Sequence, residues 1–228
     1  LTFAFTDSHW FNAVEAEVYA FSTFFTAIVV WLALLWSEKA DEKGNEKYIL
    51  IIAYMIGLAT GLHLLNLLTI PFVSLLIYFR KFKFKWNTFG ILVALTGLVF
   101  FIIHNVIIKG MPKIADAIGV PLTGLLIIAI FAGMIWAILN HKQLMSIVLT
   151  SMVLILIGYS TYALIFIRSN QNPGIDENDP ETVEAFISYL EREQYGDVGM
   201  LPRRFKGIKP MHEVVGYPEG PGRQFSAS

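Results

Sequence analysis

The sequence predicts an all-α protein, a polytopic bundle of transmembrane helices followed by a short polar region of helix and loop. Of its 228 residues, 55% are hydrophobic and only 15% are charged, whereas soluble domains carry about 25% charged residues. The apolar residues fall in long runs of the length that crosses a bilayer. A net charge of −1 gives no reason to expect a nucleic-acid partner. Since the chain lacks cysteine, disulfides and thiolate metal sites are excluded.

Six membrane segments are predicted from these apolar runs. The run from about 48 to 79 is too long for a single span, so we expect two short helices that meet in a tight turn near 57–66. The other segments cover about 13–36, 88–108, 122–139 and 144–167, and the stretch 109–121 is expected to be a short loop. Residues 1–168 would therefore form a transmembrane region and residues 169–228 a polar tail.

The orientation is predicted from the lysine and arginine residues of the short loops, which favour the cytoplasm. One side carries eight of them, namely Lys39, Lys43, Lys47, Arg80, Lys81, Lys83, Lys85 and Lys142. The only short loop on the other side carries Lys109 and Lys113. This bias places the start of the chain and the polar tail outside the cytoplasm.

In the tail, residues 180–194 are expected to form a short amphipathic helix. Asp179 is a candidate N-cap and Pro180 suits the first helical position. The apolar residues that follow recur at helical spacing and would share one face; they are Val183, Phe186, Ile187 and Leu190.

Polar residues near the first membrane entrance are candidates for chemistry. Glu15 and Tyr19 are four residues apart and share a helix face, whereas Glu17 points elsewhere. A carboxylate near the hydrocarbon boundary usually faces a polar cavity, where it would act as an acid, a base or a sugar ligand. The alternative is a helix start at which glutamate favours the positive helix end.

Two further groups are expected on the outer side. His63 and Asn66 lie on one helix face, either lining a cavity or joining helices through polar contacts. Arg168 ends the last segment, where its guanidinium either binds a phosphate or simply extends to the interface. Asp176, Glu177 and Asp179 would hold a divalent cation with a neighbouring asparagine, or serve only as capping groups.

Three stretches together resemble a known family. They are "WFNAVEAEVYAFSTFF", "GLATGLHLLNLLTIP" and "IGYSTYALIFIRSNQNPGIDENDPETVEAFISYLEREQYGD". They are similar to a bacterial multi-pass membrane family of unknown function that is related to protein O-mannosyltransferases, among the GT-C type glycosyltransferases. The last stretch is the most specific of the three.

This resemblance implies a membrane enzyme of the bacterial cytoplasmic (inner) membrane with its active site facing the periplasm or exterior. It would transfer a sugar from a polyprenyl-phosphate carrier to an acceptor hydroxyl of a protein or glycan. In such enzymes the principal catalytic acid lies in the first outward loop, which would precede Leu1, so we expect this chain to be an internal fragment. Glu15 is the catalytic candidate here, and the substrate-binding candidates are Arg168, Glu17, Tyr19, His63, Asn66, Asp176 and Glu177.

Two other functions are open from the residues alone. The divided second run is also typical of transporters, whose binding sites lie at broken helices, but the charges here cluster at helix ends. A non-catalytic membrane scaffold would use the polar tail to bind a partner.

Overall fold

The computed structural model describes residues 6, 10, 19–176 and 178–191, and within them every regular element is helical. The all-α prediction is confirmed. The helices are α1 (Tyr19–Glu38), α2 (Glu46–Thr60), α3 (Thr69–Lys81), α4 (Trp86–Phe101), α5 (Gly110–Ile118), α6 (Val120–Leu139), α7 (Gln143–Tyr159), α8 (Ala163–Ser169) and α9 (Val183–Glu191). A 3₁₀ turn at Leu64–Leu68 leads into α3, another at Ser160–Tyr162 joins α7 to α8, and a π-helix at Ile102–Ile108 extends α4.

Among the residues that the structure describes, five helical stretches are long and apolar enough to cross a membrane, namely 19–38, 64–81, 86–108, 120–139 and 143–169. The sixth predicted segment corresponds to α2, which has 15 residues. A helix of this length rises roughly 22 Å, short of a hydrocarbon core of about 30 Å. The described part of the chain therefore contains five full-length candidate spans, with the shorter α2 packed among them.

The predicted division of the 48–79 run is confirmed. Helix α2 ends at Thr60, and the amides of Gly61, Leu62 and His63 close the turn by donating to carbonyls of the last α2 residues. The His63 side chain then caps the 3₁₀ turn, because its Nδ1 accepts a hydrogen bond from the Leu65 amide at 3.2 Å. The chain thus reverses direction with its backbone groups satisfied, as a membrane setting requires.

The stretch 109–121 was expected to be a loop, and this prediction is wrong. It contains α5, a strongly amphipathic helix. Pro112 falls in the first turn, where a missing backbone N–H costs no helical hydrogen bond. The helix ends at Gly119, whose φ of 85° favours glycine.

The loops rich in lysine and arginine meet at one end of the bundle, which we call the basic end. Here Arg80 forms an ion pair with Asp41, and its Nε donates to the Ser37 carbonyl at 2.9 Å. Lys81 Nζ also donates to a carbonyl of the α1–α2 loop. The Arg80 guanidinium holds the pKa of the Asp41 carboxyl below its usual value. At the same end, Gln143 of α7 donates to Glu46 of α2 at 2.9 Å.

At the opposite end, the turn after α2 lies against the 3₁₀ turn after α7. A Cβ added to Gly61 would lie 3.2 Å from Thr161 Oγ1 and 3.3 Å from the Tyr162 ring. The ring of Tyr19, at the start of α1, lies 5.6 Å from the ring of His63. The Tyr159 hydroxyl donates to the Ile108 carbonyl at 2.8 Å and so attaches α7 to the π-helix. The predicted site residues that the structure describes lie at this end of the bundle.

The centre of the bundle is a close parallel crossing of α2 and α7. A Cβ at Gly57 would lie 2.5 Å from the Ile155 carbonyl oxygen, and one at Gly158 would lie 2.6 Å from the Leu58 nitrogen. Both neighbours are backbone atoms that a side-chain rotation cannot move. Ala53, Gly57 and Gly61 recur every four residues, the small-residue spacing that lets transmembrane helices approach closely.

Apolar side chains of α1, α3 and the π-helix surround this crossing and complete the core. Helices α4 and α6 flank it and expose most of their surface: α4 has no buried residue, and α6 buries only Thr123 and Ala137. In water such apolar exposure would be costly, whereas in a bilayer it faces lipid.

Replacing Gly57 or Gly158 by alanine is expected to destabilise the protein, because the added methyl group meets backbone. Overpacking of this kind costs about 1–3 kcal/mol. The measurement is the midpoint of thermal unfolding in detergent micelles. Gly97→Ala in α4 is the matched control, since its Cβ would meet nothing within 4 Å and alanine favours the helix. If all three variants unfold at the same temperature, the crossing does not limit stability.

Candidate functional site

A candidate site is an open cavity of about 550 Å³ beside the last of the candidate membrane spans. Its walls come from α8, from the loop that follows α8, and from α9. The lining residues are Leu164, Ile165, Ile167, Arg168, Ser169, Gln171, Pro173, Ile175, Asp176 and Tyr189. The lining thus combines apolar side chains with a smaller number of polar groups.

Arg168 and Asp176, two of the predicted substrate-binding residues, both line this cavity. Arg168 is exposed, and its Nη1 donates to Gln171 Oε1 at 3.1 Å. Asp176 is half-buried and accepts a hydrogen bond from Ser169 Oγ at 2.8 Å. The site therefore contains a guanidinium and a carboxylate. Each forms a hydrogen bond with an uncharged side chain, and the two do not form an ion pair with each other.

The loop between α8 and α9 is fixed by its own hydrogen bonds. Asn170 Nδ2 donates to the carbonyls of Phe166 and Glu181, at 2.9 and 3.2 Å. Asn172 adopts a φ of 48°, a left-handed conformation that asparagine tolerates better than most residues. The loop thus returns to the membrane-facing helix and places Asp176 next to Ser169.

The predicted tail helix exists, but its first turn differs from the prediction. The first helical hydrogen bond runs from the Phe186 amide to the Thr182 carbonyl, and Thr182 Oγ1 accepts from the Ala185 amide at 3.1 Å. Thr182 is therefore the N-cap, and Asp179, with a φ of 44°, precedes the helix. The N-cap prediction for Asp179 is wrong because a threonine nearer the apolar run supplies the capping oxygen.

The apolar face of α9 packs as its spacing predicted. The Phe186 ring lies 6.1 Å from the rings of both Tyr162 and Phe166, and Leu190 is buried. At its far end, Glu191 forms an ion pair with Lys113 of α5. The hydrogen bond from Lys113 and the nearby charge of Lys109 hold the pKa of the Glu191 carboxyl below its ordinary value.

Asn66 and His63 lie in the turn between α2 and α3, and neither lines the cavity. Asn66 is 2% exposed. Its Oδ1 accepts from Thr26 Oγ1 at 2.9 Å, and its Nδ2 donates to the His63 carbonyl at 3.0 Å. These bonds join α1 to the turn, which is the structural alternative that the sequence left open. Tyr19 contacts His63 through its ring and is half exposed.

Glu15, Glu17 and Glu177 lie outside the residues that the structure describes. A cation site built from Asp176 and Glu177 therefore stays a prediction. Within the described ranges, no group of three or more histidine, aspartate or glutamate side chains is arranged to hold a metal ion.

Sequence reasoning missed Ser169, Gln171 and Tyr189 as cavity residues. Ser169 and Gln171 follow Arg168 directly, so their proximity to it was available from the sequence. Tyr189 is 21 residues from Arg168 along the chain and reaches the cavity only because α9 packs back onto α8. No local pattern signals that contact.

Comparison with known proteins identifies a relative for the N-terminal part of the chain. Residues 1–86 match the family described as the protein O-mannosyl-transferase TMEM260 N-terminal domain. Over these residues the chain is similar to a protein O-mannosyltransferase domain, and this similarity supports a relation to glycosyltransferase-like membrane proteins. The matched part contains Glu15, Glu17, Tyr19, His63 and Asn66 but not the cavity at Arg168. No curated protein and no solved structure matches the chain.

The ion pair between Glu191 and Lys113 makes the docking of α9 pH-dependent. Because the pKa of Glu191 is lowered in the folded protein, the contact stabilises docking above the ordinary glutamate pKa of 4.5. That contribution is lost as the pH falls through the folded pKa, and its size is about 0.2–1 kcal/mol for an exposed pair. Hydrogen exchange of the α9 amides, corrected for intrinsic rates, should show weaker protection at pH 3.5 than at pH 6.

Glu191→Gln should remove this pH dependence. Glu184→Gln is the control, because Glu184 is an exposed glutamate of the same helix. Equal pH dependence in both variants would show that another group controls docking.

Asn66→Ala is expected to lower the stability of the bundle by about 1–3 kcal/mol, since it leaves the Thr26 hydroxyl without its partner in a part-buried contact. Unfolding in detergent micelles measures the change. Asn140→Ala serves as control, because Asn140 is exposed and bonds only within its own helix turn. An Asn66 variant as stable as the control would rule out the structural role.

Proposed function

We propose that this chain is part of a GT-C type membrane glycosyltransferase that takes a sugar from a polyprenyl-phosphate carrier and attaches it to an acceptor hydroxyl, such as a protein serine or threonine. The observation that carries the proposal is the match of residues 1–86 to a protein O-mannosyl-transferase domain. The cavity at Arg168 supplies a second, independent support from the other half of the chain.

The chemistry of such a transfer makes two demands on the protein. A phosphate leaving group develops negative charge, which a positive group stabilises. The acceptor hydroxyl needs a carboxylate to take its proton as the bond to the sugar forms. A lipid carrier adds a third demand, because its phosphate lies at the membrane edge while its chain stays in the bilayer.

Arg168 fits the phosphate role. It ends α8, the last turns of a membrane span, and its guanidinium lines a cavity whose remaining wall is largely apolar. Within the described part of the chain, Gln171 is its only hydrogen-bonding partner, so further N–H groups remain for bidentate contact with phosphate oxygens. The apolar wall formed by Leu164 and Ile167 suits the first part of a lipid chain.

The carboxylate role is assigned to Glu15 within this chain, and Asp176 is assigned to binding the sugar. Asp176 already accepts one hydrogen bond from Ser169 and retains a lone pair for a sugar hydroxyl. Glu17, Tyr19, His63 and Glu177 are proposed to border the same outer space. For Asn66, the burial and bonding described above favour a supporting position.

The proposed location is the bacterial inner membrane, with the cavity and α9 on the periplasmic side. The grouping of the lysine-rich loops at one end of the bundle supports this direction, because such loops favour the cytoplasm. The partners would be the bilayer, the lipid-linked sugar and an acceptor protein or glycan, and a divalent cation would assist at the phosphate.

Arg168→Ala should reduce sugar transfer by about a hundredfold or more, as expected when a charged group that stabilises the leaving phosphate is lost. Arg168→Lys should retain an intermediate rate, because it keeps the charge but not the bidentate geometry. The assay follows labelled mannose from polyprenyl-phosphate mannose to a serine- and threonine-containing peptide, in membranes that contain the full-length protein.

Glu15→Gln should also reduce transfer, since the amide cannot take a proton. The control for both variants is Gln143→Ala, which removes a polar side chain at the basic end, far from the cavity. Membrane insertion and the unfolding midpoint are measured in parallel. If Arg168→Ala and Glu15→Gln transfer mannose at the control rate, the site assignment is wrong. If the unmodified protein transfers no sugar from any polyprenyl-phosphate donor, the proposed function itself fails.

A further inference from the structure

A second cavity lies between α3 and α4 and shares no lining residue with the candidate site. It is an almost wholly apolar groove of about 340 Å³, lined by Pro71, Leu75, Phe89, Leu92, Val93, Thr96, Gly97 and Phe100. The groove exists because Gly97 leaves open space on α4 and because α4 buries none of its residues. Nothing in the proposed transfer reaction uses it.

The length of the groove corresponds to one leaflet. Phe89 lies near the start of α4 and Phe100 near its end, so the groove extends roughly 16 Å along the helix. Half of a hydrocarbon core of about 30 Å is nearly the same length. A single acyl chain therefore fits the groove from the membrane surface to the bilayer centre.

At the membrane-surface end of this groove lies the loop between α3 and α4, which consists of aromatic and basic residues. Phe89 packs on Phe84 and Trp86, with ring centroids 5.6 and 6.4 Å apart. The buried Tyr78 hydroxyl holds the loop, since it accepts from the Lys85 amide at 3.1 Å and lies 2.7 Å from Thr88 Oγ1. The loop conformation is thus fixed before any ligand arrives.

Two of the four basic residues around this loop are free to bind a ligand. Arg80 and Lys81 both pair with Asp41. Lys83 and Lys85 are exposed, and neither has a carboxylate partner among the residues that the structure describes. Two unpaired ammonium groups therefore stand beside the mouth of an apolar groove.

We propose that the α3–α4 groove binds an anionic glycerophospholipid of the bilayer, with its phosphate at Lys83 and Lys85 and one acyl chain along Gly97. Charge complementarity selects an anionic head group over a zwitterionic one, because the nearby Asp41 carboxylate is already paired with Arg80 and Lys81 and no other carboxylate of the described residues forms an ion pair with this loop. The exposed Phe82, Phe84 and Trp86 suit the head-group level, where aromatic side chains concentrate. The proposal does not depend on the glycosyltransferase function.

The test is native mass spectrometry of the purified protein in micelles that contain equal amounts of phosphatidylglycerol and phosphatidylcholine with matched acyl chains. The protein should retain phosphatidylglycerol in preference to phosphatidylcholine. Lys83→Gln with Lys85→Gln should lower that retention about tenfold, given the attraction that each lysine supplies near an anionic lipid. Lys43→Gln with Lys142→Gln is the control, as it removes two exposed lysines from other loops at the same end.

Gly97→Leu tests the groove without changing charge. The added side chain occupies the groove and should lower phosphatidylglycerol retention, whereas Gly90→Leu on the same helix should not. Both glycines have open space at the Cβ position, but only Gly97 lines the groove.

Three results would overturn the proposal. Equal retention of both lipids excludes a specific anionic lipid. A lysine effect without a Gly97→Leu effect indicates surface attraction alone. Dissociation of a dimer by Gly97→Leu, seen by light scattering, indicates that a second copy occupies the groove.

Discussion

The close crossing of α2 and α7 at Gly57 and Gly158 is the constraint on which the rest of the bundle depends. Each glycine contacts backbone of the opposite helix, so the two helix axes cannot separate without losing dispersion contacts along both. In a membrane the hydrophobic effect does not drive helices together, and close packing of small residues takes its place. Helix α2 is short for a span, and this crossing explains how it is held among longer helices.

The crossing also determines which residues come together at the end of the bundle opposite the basic end. Because α2 and α7 run parallel, the turn after α2 and the turn after α7 emerge together, with Gly61 against Thr161 and Tyr162. The Tyr162 ring in turn contacts the Phe186 ring, and this contact helps to hold α9 against the bundle. The cavity at Arg168 is thus supported by packing that begins at the helix crossing. The basic end is organised separately, through Asp41 and its two cationic partners.

The cavity at Arg168 and the α3–α4 groove are separate, and no residue lines both. The cavity at Arg168 combines a guanidinium, a carboxylate and apolar side chains, the groups on which the proposed transfer from a lipid-linked sugar depends. The α3–α4 groove combines an apolar channel with unpaired lysines at the basic end. A lipid bound there would cover α4, which buries no residue of its own, and would stabilise the α3–α4 hairpin from the side that the core does not reach.

The sequence by itself determined the all-α class, the approximate spans, the division of the 48–79 run and the apolar face of α9. These follow from local causes: apolar run length, turn-forming residues and helical spacing. The sequence also indicated Arg168, a charged residue at the end of an apolar segment, and Asp176, which belongs to an acidic group with Glu177 and Asp179. It did not anticipate α5, whose Pro112 and short length resemble a loop, or the capping role of Thr182.

Only the tertiary structure decided which of the predicted site residues lie close to one another. The sequence favours a structural role for Asn66 but leaves a ligand-binding role open, and the choice is made by Thr26, forty residues away, which donates a hydrogen bond to it. Tyr189 lines the cavity at Arg168 because α9 packs against α8. The need for a residue without a side chain at Gly57 and Gly158 is visible only in the structure, where each lies against the backbone of the opposite helix. A single sequence records the properties of each segment, whereas these contacts depend on the relative positions of segments distant along the chain.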